Sequence, residues 1–241
     1  MRLTEGHLLG GRVRYAQPAE GFRTGIEPVL LAASVPARAN ERVLEGGSGA
    51  GAALLCLAAR VPGVAGVGVE RDAELAALAA GNARANGAGG LSFIAASLET
   101  AELAGPFDHA IANPPYHPAH ATASPDPARD SAKRAAPGLL DIWVRQLAKP
   151  LRRFGSLTLI LPASRLPECL AALDAVQCPA AAIHPLWPKP GRAAKLLLVQ
   201  GRKFGRSPLR LLPGLVLHQP DGRFTPDADA VLRDGSPLGW E

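Results

Sequence analysis

Residues 42–60 read RVLEGGSGAGAALLCLAAR. Four residues of strand character, Arg42-Val43-Leu44-Glu45, run into a glycine-rich turn. An apolar stretch at 52–60 follows, of the kind a buried helix presents, and Pro62-Gly63 closes it. Glycines let the chain turn tightly and let a ligand approach the main chain without meeting a Cβ. Strand, glycine turn and helix in this order open a βαβ unit.

The pattern continues downstream. Residues 64–69 (VAGVGV) read as a second strand that finishes at Glu70. Asp72 is a good N-cap for a helix through Ala85, with Leu75, Leu78 and Ala79 on one face and Gly87 as its stop. Third and fourth strands are expected at 91–95 and 107–112. A helix follows at 139–153 (Leu140, Val144, Leu147 and Leu151 at helical spacing), then a strand at 156–161 and a helix at 165–176. Residues 180–186 and 195–199 read as two last strands, joined by WPKPGRAA without a helix. Unbroken apolar strands alternating with helices mean a parallel sheet covered on both faces. The helix-free last connection makes one strand antiparallel. The expected fold is therefore α/β, doubly wound, with a mostly parallel seven-stranded sheet and one antiparallel strand near the C-terminus. Residues 1–40, polar and glycine-rich before an apolar run at 28–35, read as a cap segment on a single domain at 41–241.

Composition narrows the class. Cys56, Cys169 and Cys178 are an odd set without tight spacing, which argues against a disulfide framework or a zinc site, and Cys56 reads as core. His117 and His120, with Pro118 between them and no carboxylate or thiol at ligand spacing, read as loop residues; no metal is expected. No apolar run reaches membrane-spanning length and no signal peptide is evident, so a cytoplasmic protein without a membrane partner is expected. Charge is uneven. Residues 142–220 hold 12 lysines and arginines against two acids, Glu168 and Asp174. Such a surplus suits a polyanionic partner, because Lys and Arg gain affinity by displacing counterions from phosphates.

The glycine loop, Glu45 to Gly51, followed by an acid at the end of the second strand, Glu70, points to an adenosine-containing cofactor whose ribose hydroxyls Glu70 receives. Gly47-x-Gly49-x-x-Ala52 also fits the looser dinucleotide fingerprint, which leaves a nicotinamide-dependent oxidoreductase open. Two features favour a methyl donor instead. Glu45 would receive a cationic amine, whereas a diphosphate-binding loop has little use for a carboxylate there. The fourth strand also ends in Asn113-Pro114-Pro115-Tyr116, where two prolines forbid continuation of a strand. Asn-Pro starts ordinary turns too. With S-adenosylmethionine as cofactor and a planar nitrogen as acceptor, however, the Asn113 oxygen and the Pro114 carbonyl would each accept one N–H. Tyr116 would then stack on the plane.

VLEGGSGAG, Glu70 and ANPPY together resemble the class I S-adenosylmethionine-dependent N-methyltransferases, whose NPPY-like motifs serve adenine N6, cytosine N4, guanine N2 and the glutamine amide of release factors. The flanks GGRVRYAQPAEGFRTGIEPVLLAASVPA, PLWPKPGRAAKLLLVQGRKFGRSPLRLLPGLVLH and DGRFTPDADAVLRDG are similar to bacterial tRNA adenine-N6 methyltransferases that modify valine tRNA, over nearly the whole chain. With about 40 residues before the glycine loop, the N-terminal helical domain of the glutamine enzymes is not expected here. The resemblance implies a Rossmann-like fold and S-adenosylmethionine around Thr24, Gly25, Glu45, Gly47, Ser48, Gly49, Gly51, Glu70 and Asn113. The target would be held by Asn113, Pro114 and Tyr116. Where the family often has an acid after the third strand, Ser97 stands here; after Gly25, its Thr-Asp is Ile26-Glu27. The expected partner is tRNA. Arg129, Lys133 and Arg134 in a loop at 117–138 would close over a flipped base, and Lys189, Arg192, Lys195, Arg202 and Lys203, with Arg206 and Arg210, would grip phosphates. Guanine N2 in ribosomal RNA and glutamine N5 remain alternative acceptors.

Overall fold

The computed structural model describes residues 1–20, 23–115, 117–118, 134–135 and 138–240. Its elements in chain order are β1 (Leu3–Leu8), β2 (Val13–Pro18), α1 (Glu27–Ser34), β3 (Arg42–Gly46), α2 (Ala52–Arg60), β4 (Ala65–Glu70), α3 (Ala73–Ala85), β5 (Leu91–Ala95) and β6 (Phe107–Ala112). Then come a two-residue parallel pair, β7 (His117–Pro118) and β8 (Arg134–Ala135), α4 (Leu139–Ala148), β9 (Leu151–Pro162) and α5 (Leu166–Ala175). The chain closes with β10 (Ala180–Trp187), β11 (Leu196–Arg202), β12 (Arg210–Leu211), β13 (Leu215–Val216) and α6 (Pro226–Asp234).

The main sheet runs β5–β4–β3–β6–β9–β11–β10, with β11 antiparallel to both of its neighbours and the other strands parallel. This is the expected doubly wound sheet with its antiparallel strand near the C-terminus. Two short strands, β12 and β13, pair with β10 in parallel and bring the sheet to nine strands rather than seven. Side chains alternate between two cores, as a strand's two-residue period requires. Val43, Ile111, Ile160 and Leu198 face α1, α2 and α6. Leu44, Ala110, Leu159 and Val199 face α4 and α5.

Several boundaries differ from the sequence expectation. The helix expected at 139–153 stops at Ala148, two residues before Pro150, and the chain re-enters the sheet at Leu151 rather than Ser156. Residues 3–18, expected only as a polar cap, form a hairpin of β1 and β2. Asn82 of α3 fastens it: its side chain accepts from the Ala16 N–H at 3.0 Å and donates to the Ala16 carbonyl at 2.9 Å. Val13 and Tyr15 thereby join the core that contains α1 and α2.

A polar clamp crosses three strands at the amino end of the sheet. On β6, His109 is buried, with Nδ1 2.7 Å from Ser156 Oγ on β9 and Nε2 3.0 Å from Glu41 Oε2 just before β3. Burial holds the imidazole pKa below its usual value, against the pull of Glu41. The folded state therefore prefers the neutral ring, and the unfolded chain takes up its proton first. Stability from this site is complete above the unfolded pKa of about 6.5 and declines as the pH falls below it. Melting temperatures between pH 7.5 and 5.5 should fall more steeply for the wild type than for His109→Gln; parallel slopes would remove the clamp from the acid response.

Candidate active site

The glycine loop leaves β3 where the strand order reverses, with β4 on one side and β6 on the other, the place where open α/β sheets bind ligands. Gly47 and Ser48 both donate to the Val69 carbonyl, at 2.8 and 3.1 Å, folding the loop over the end of β4. Glu70 fixes the rest: Oε2 accepts from the Gly49 N–H at 2.9 Å and Oε1 from the Asp72 N–H at 3.0 Å. An ionised carboxylate has about four acceptor sites, so two remain for a ribose. Gly51, with φ +88°, then starts α2. A Cβ there would stand 2.9 Å from Phe93, and one on Gly47 (φ +67°) would stand 2.6 Å from Trp143 Cη2.

Glu45 is the most telling residue. It is 5% exposed, and its Oε2 is buried with no hydrogen-bond partner among the described residues. Burial pushes its carboxyl well above the usual carboxylate range, opposed by the Leu54 backbone N–H and reinforced by the nearby Glu70 charge. Ser48 Oγ is a second buried atom without a partner among the described residues. Two orphaned acceptors beside a cradle that a Cβ would fill fit a ligand bearing donors, such as the amino-acid end and ribose of S-adenosylmethionine. Thr24 is linked toward Glu45 through Tyr15, whose hydroxyl feels the Glu45 charge. The Thr24 hydroxyl is 2.7 Å from the Tyr15 hydroxyl and the Thr24 N–H donates to Gln17 Oε1 at 2.9 Å. Burial, with Glu45 adding to it and the Thr24 bond opposing it, raises Tyr15 to about 12. Gly25 follows, close enough to the Glu27 carboxylate that a Cβ would collide with it.

Asn113 continues β6 past Ala112, which pairs with Gly46 of β3. It therefore sits one strand spacing, about 4.8 Å, from the start of the glycine loop. Asn113 is half-buried and Pro114 buried. Ser97 lies two residues past β5 on the same edge, and its Oγ accepts from the Glu99 N–H at 3.3 Å. Tyr116, Arg129 and Lys133 lie outside the described residues, as do the Arg134 side chain and most of the 117–138 loop.

The predicted basic residues divide. Lys189, Arg192 and Lys195 lie in the β10–β11 connection, on the carboxyl edge with Asn113. Lys189 and Arg192 line a cavity of about 520 Å³ with Trp187 and Val216. Arg202 and Lys203, with Arg206 beyond them, lie at the other end of the sheet, because β11 runs antiparallel and carries them about 20 Å away. There Arg202 donates to the Phe154 carbonyl at 3.0 Å and Lys203 to the Val176 carbonyl at 2.9 Å. The structure thus does not bring these two to the glycine-loop edge.

Comparison with known proteins bears on the fold and the cofactor. The methyltransferase small domain family model matches residues 26–135. A predicted O-methyltransferase of known crystal structure from Agrobacterium tumefaciens superposes with a TM-score of 0.72 at 26% identity, over 88% of this chain and 97% of that one. Residues 26–135 are thus similar to the methyltransferase small domain, and the chain has the Rossmann-like fold of the class I S-adenosylmethionine-dependent methyltransferases. Among curated methyltransferases, a tRNA1(Val) (adenine(37)-N6)-methyltransferase from Aeromonas hydrophila is 29% identical over 90% of each chain. A release factor glutamine methyltransferase from Rhodospirillum rubrum is 38% identical over 102 residues, 42% of this chain. The chain spans less than a third of the length of the glutamine methyltransferases it matches, 31% and 26%.

Sequence reading missed four residues of this candidate site. Tyr15 and Gln17 had a signal, since Val13-x-Tyr15-x-Gln17 alternates as a strand does. Trp143 and Phe93 had none, because only packing turns them onto the loop. Among the described residues no cluster could hold a metal ion, and no helix is long and apolar enough to cross a membrane. Gly47→Ala should lose about 1–2 kcal/mol of stability through its left-handed backbone alone. The Cβ would also press on Trp143, so cofactor affinity should drop with the melting temperature; calorimetric binding beside a thermal melt checks both.

Proposed function

We propose that the protein transfers a methyl group from S-adenosylmethionine to the exocyclic N6 amine of an adenine in tRNA. The observation that carries the substrate is the collinear likeness to the Aeromonas hydrophila tRNA adenine methyltransferase, which covers 90% of both chains. The Asn113-Pro114 turn beside the glycine loop supports transfer to a planar nitrogen.

When bound, S-adenosylmethionine supplies an electrophilic methyl group. Glu45 and Thr24 hold its amino-acid end, Ser48 and the glycine backbone its middle, and Glu70 its ribose. The chain's own task is to make a weak nucleophile react. An adenine amine shares its lone pair with the ring. The Asn113 oxygen and the Pro114 carbonyl each accept one amine N–H, which turns the lone pair out of the ring plane and favours positive charge on nitrogen as the N–C bond forms and the methyl–sulfur bond breaks, its electron pair staying on sulfur. The proline-locked turn keeps both acceptors in position without reordering. The amine then sheds one proton to water, so no strong base is needed. Lys189, Arg192 and Lys195 hold RNA phosphates on that edge.

A second reading, methylation of a glutamine side-chain amide, is favoured by the higher identity to the release factor methyltransferases, 38% and 40% over shorter spans. The test is incubation with labelled S-adenosylmethionine and either unmodified tRNA or a release factor, followed by nucleoside or peptide mass spectrometry. New N6-methyladenosine in tRNA is expected; a label found in glutamine or in N2-methylguanosine overturns the adenine assignment. RNA affinity should also fall steeply with salt.

A further inference from the structure

At the amino edge of the sheet, opposite the methyltransferase site, β9 departs from its ladder with β6. Phe107 pairs with Leu151 and His109 with Ser156, so three more residues of β9 than of β6 lie between the two pairs. The segment so extruded contains Arg152, Arg153 and Phe154. Beside it the end of β11 turns through Lys203, Phe204 and Gly205. The two turns are bonded together: Phe154 N–H donates to the Lys203 carbonyl at 2.9 Å and Lys203 N–H to the Gly155 carbonyl at 2.9 Å.

Each turn displays a phenylalanine. Phe154 is 47% exposed and Phe204 42%. Both adopt left-handed backbone conformations, φ +61° and +57°, which bulky side chains rarely take. Burial of a ring does not explain that cost, since neither ring is buried. Each ring also carries a cation, with Arg153 Cζ 4.8 Å from the Phe154 centroid and Lys203 Nζ 5.0 Å from that of Phe204. A cavity of about 340 Å³, lined by Arg153, Gln177, Pro179, Phe204 and Arg206, opens between the turns. Arg152 is neutralised here by Asp108 and Glu41. Arg153, Arg202 and Arg206 are exposed, and Asp174, at the end of α5, is the acid nearest in sequence to the lining residue Gln177. Bulges and strained residues gather where function needs a side chain aimed outward.

We infer that this edge is a second RNA-docking surface, on which bases of a single-stranded segment stack on Phe154 and Phe204 while Arg153, Arg202 and Arg206 meet the flanking phosphates. Exposed aromatic rings interleaved with cations suit nucleic acid because every base offers a flat face and every linkage a charge. The inference rests on the reading that the methyl acceptor is RNA. It gives the basic residues remote from Asn113 a role: they hold a distant part of the substrate and act on affinity, leaving the chemical step alone.

The test compares the wild type with Phe154→Asn/Phe204→Asn, since Asn tolerates the left-handed conformation, and with Arg153→Gln/Arg206→Gln. Fluorescence anisotropy is read with labelled total tRNA and with a labelled twelve-nucleotide oligouridine. The Asn pair should bind either RNA at least about tenfold more weakly, with an equal or higher melting temperature and unchanged S-adenosylmethionine affinity. The Gln pair should bind more weakly with a salt slope about two units shallower. Wild-type RNA binding unchanged in both pairs overturns the inference and leaves the proposed activity standing. A wild type that binds neither RNA overturns both.

Discussion

Asn113→Ala should lower kcat roughly 10²–10³-fold and leave S-adenosylmethionine affinity unchanged. The magnitude is that of deleting one preorganised hydrogen-bonding group aimed at charge that develops in the transition state. The separation of effects follows from position. Asn113 stands one strand from the glycine loop, after the residue that pairs with Gly46, whereas the orphaned acceptors at Glu45 and Ser48 lie within the loop itself. Asn113→Asp, which keeps an acceptor but adds a charge, should retain more activity than the Ala variant. Single-turnover methylation together with calorimetric cofactor binding separates the two quantities. An Ala variant with near-normal kcat would leave the NPPY turn a structural feature.

Loss of Glu45 should have the largest effect on cofactor affinity. A buried carboxylate that pairs with an ammonium group is worth about 2–5 kcal/mol when one partner is removed, so Glu45→Ala should weaken S-adenosylmethionine binding roughly 30-fold or more. The pH dependence is more specific still. In the free protein, burial holds the Glu45 carboxyl well above its ordinary range, so it carries a proton at a pH where an exposed Glu would not. A bound ammonium group favours the ionised form, and binding therefore releases a proton. Affinity should rise with pH until the free-state pKa of Glu45 is passed, then level off. The same linkage acts against the free protein, whose stability from this group is complete below the unfolded pKa and is lost as pH rises through the folded one. Calorimetry in phosphate and in Tris, whose ionisation enthalpies differ, reads the released proton directly. Glu45→Gln should abolish it; identical heats for the wild type in the two buffers would sink the assignment.

The residues of the candidate site that lie at strand ends were legible in the sequence. Glu45, Gly47, Ser48, Gly49, Gly51 and Glu70 are contiguous with two strands whose order the apolar pattern reveals, and parallel strands deliver their ends to one edge. Asn113 and Pro114 joined them by the same rule. The site residues that escaped notice come from elements whose local pattern says nothing of the site. Trp143 lies on an amphipathic helix, where an aromatic side chain ordinarily means core packing, yet a Cβ on Gly47 would touch it. Tyr15 escaped because residues 1–18 are rich in glycine and charge, and their hairpin is held by side chains of Asn82 and Asn86, on or just past a distant helix.

The sequence by itself determined the seven long strands of the sheet, the antiparallel one among them and the edge on which the glycine loop lies, because hydrophobic period, glycine turns and chain order are local properties. Only the tertiary structure decided how the basic residues are shared between the two edges. Lys195 and Arg202 are seven residues apart within the acid-poor segment 142–220, and charge counting treats them alike. The reversal of β11 puts them at opposite ends of the sheet, since a strand rises about 3.4 Å per residue and cannot double back within itself. Direction within the sheet is set by pairing with β9 and β10, a long-range choice that no window of sequence contains.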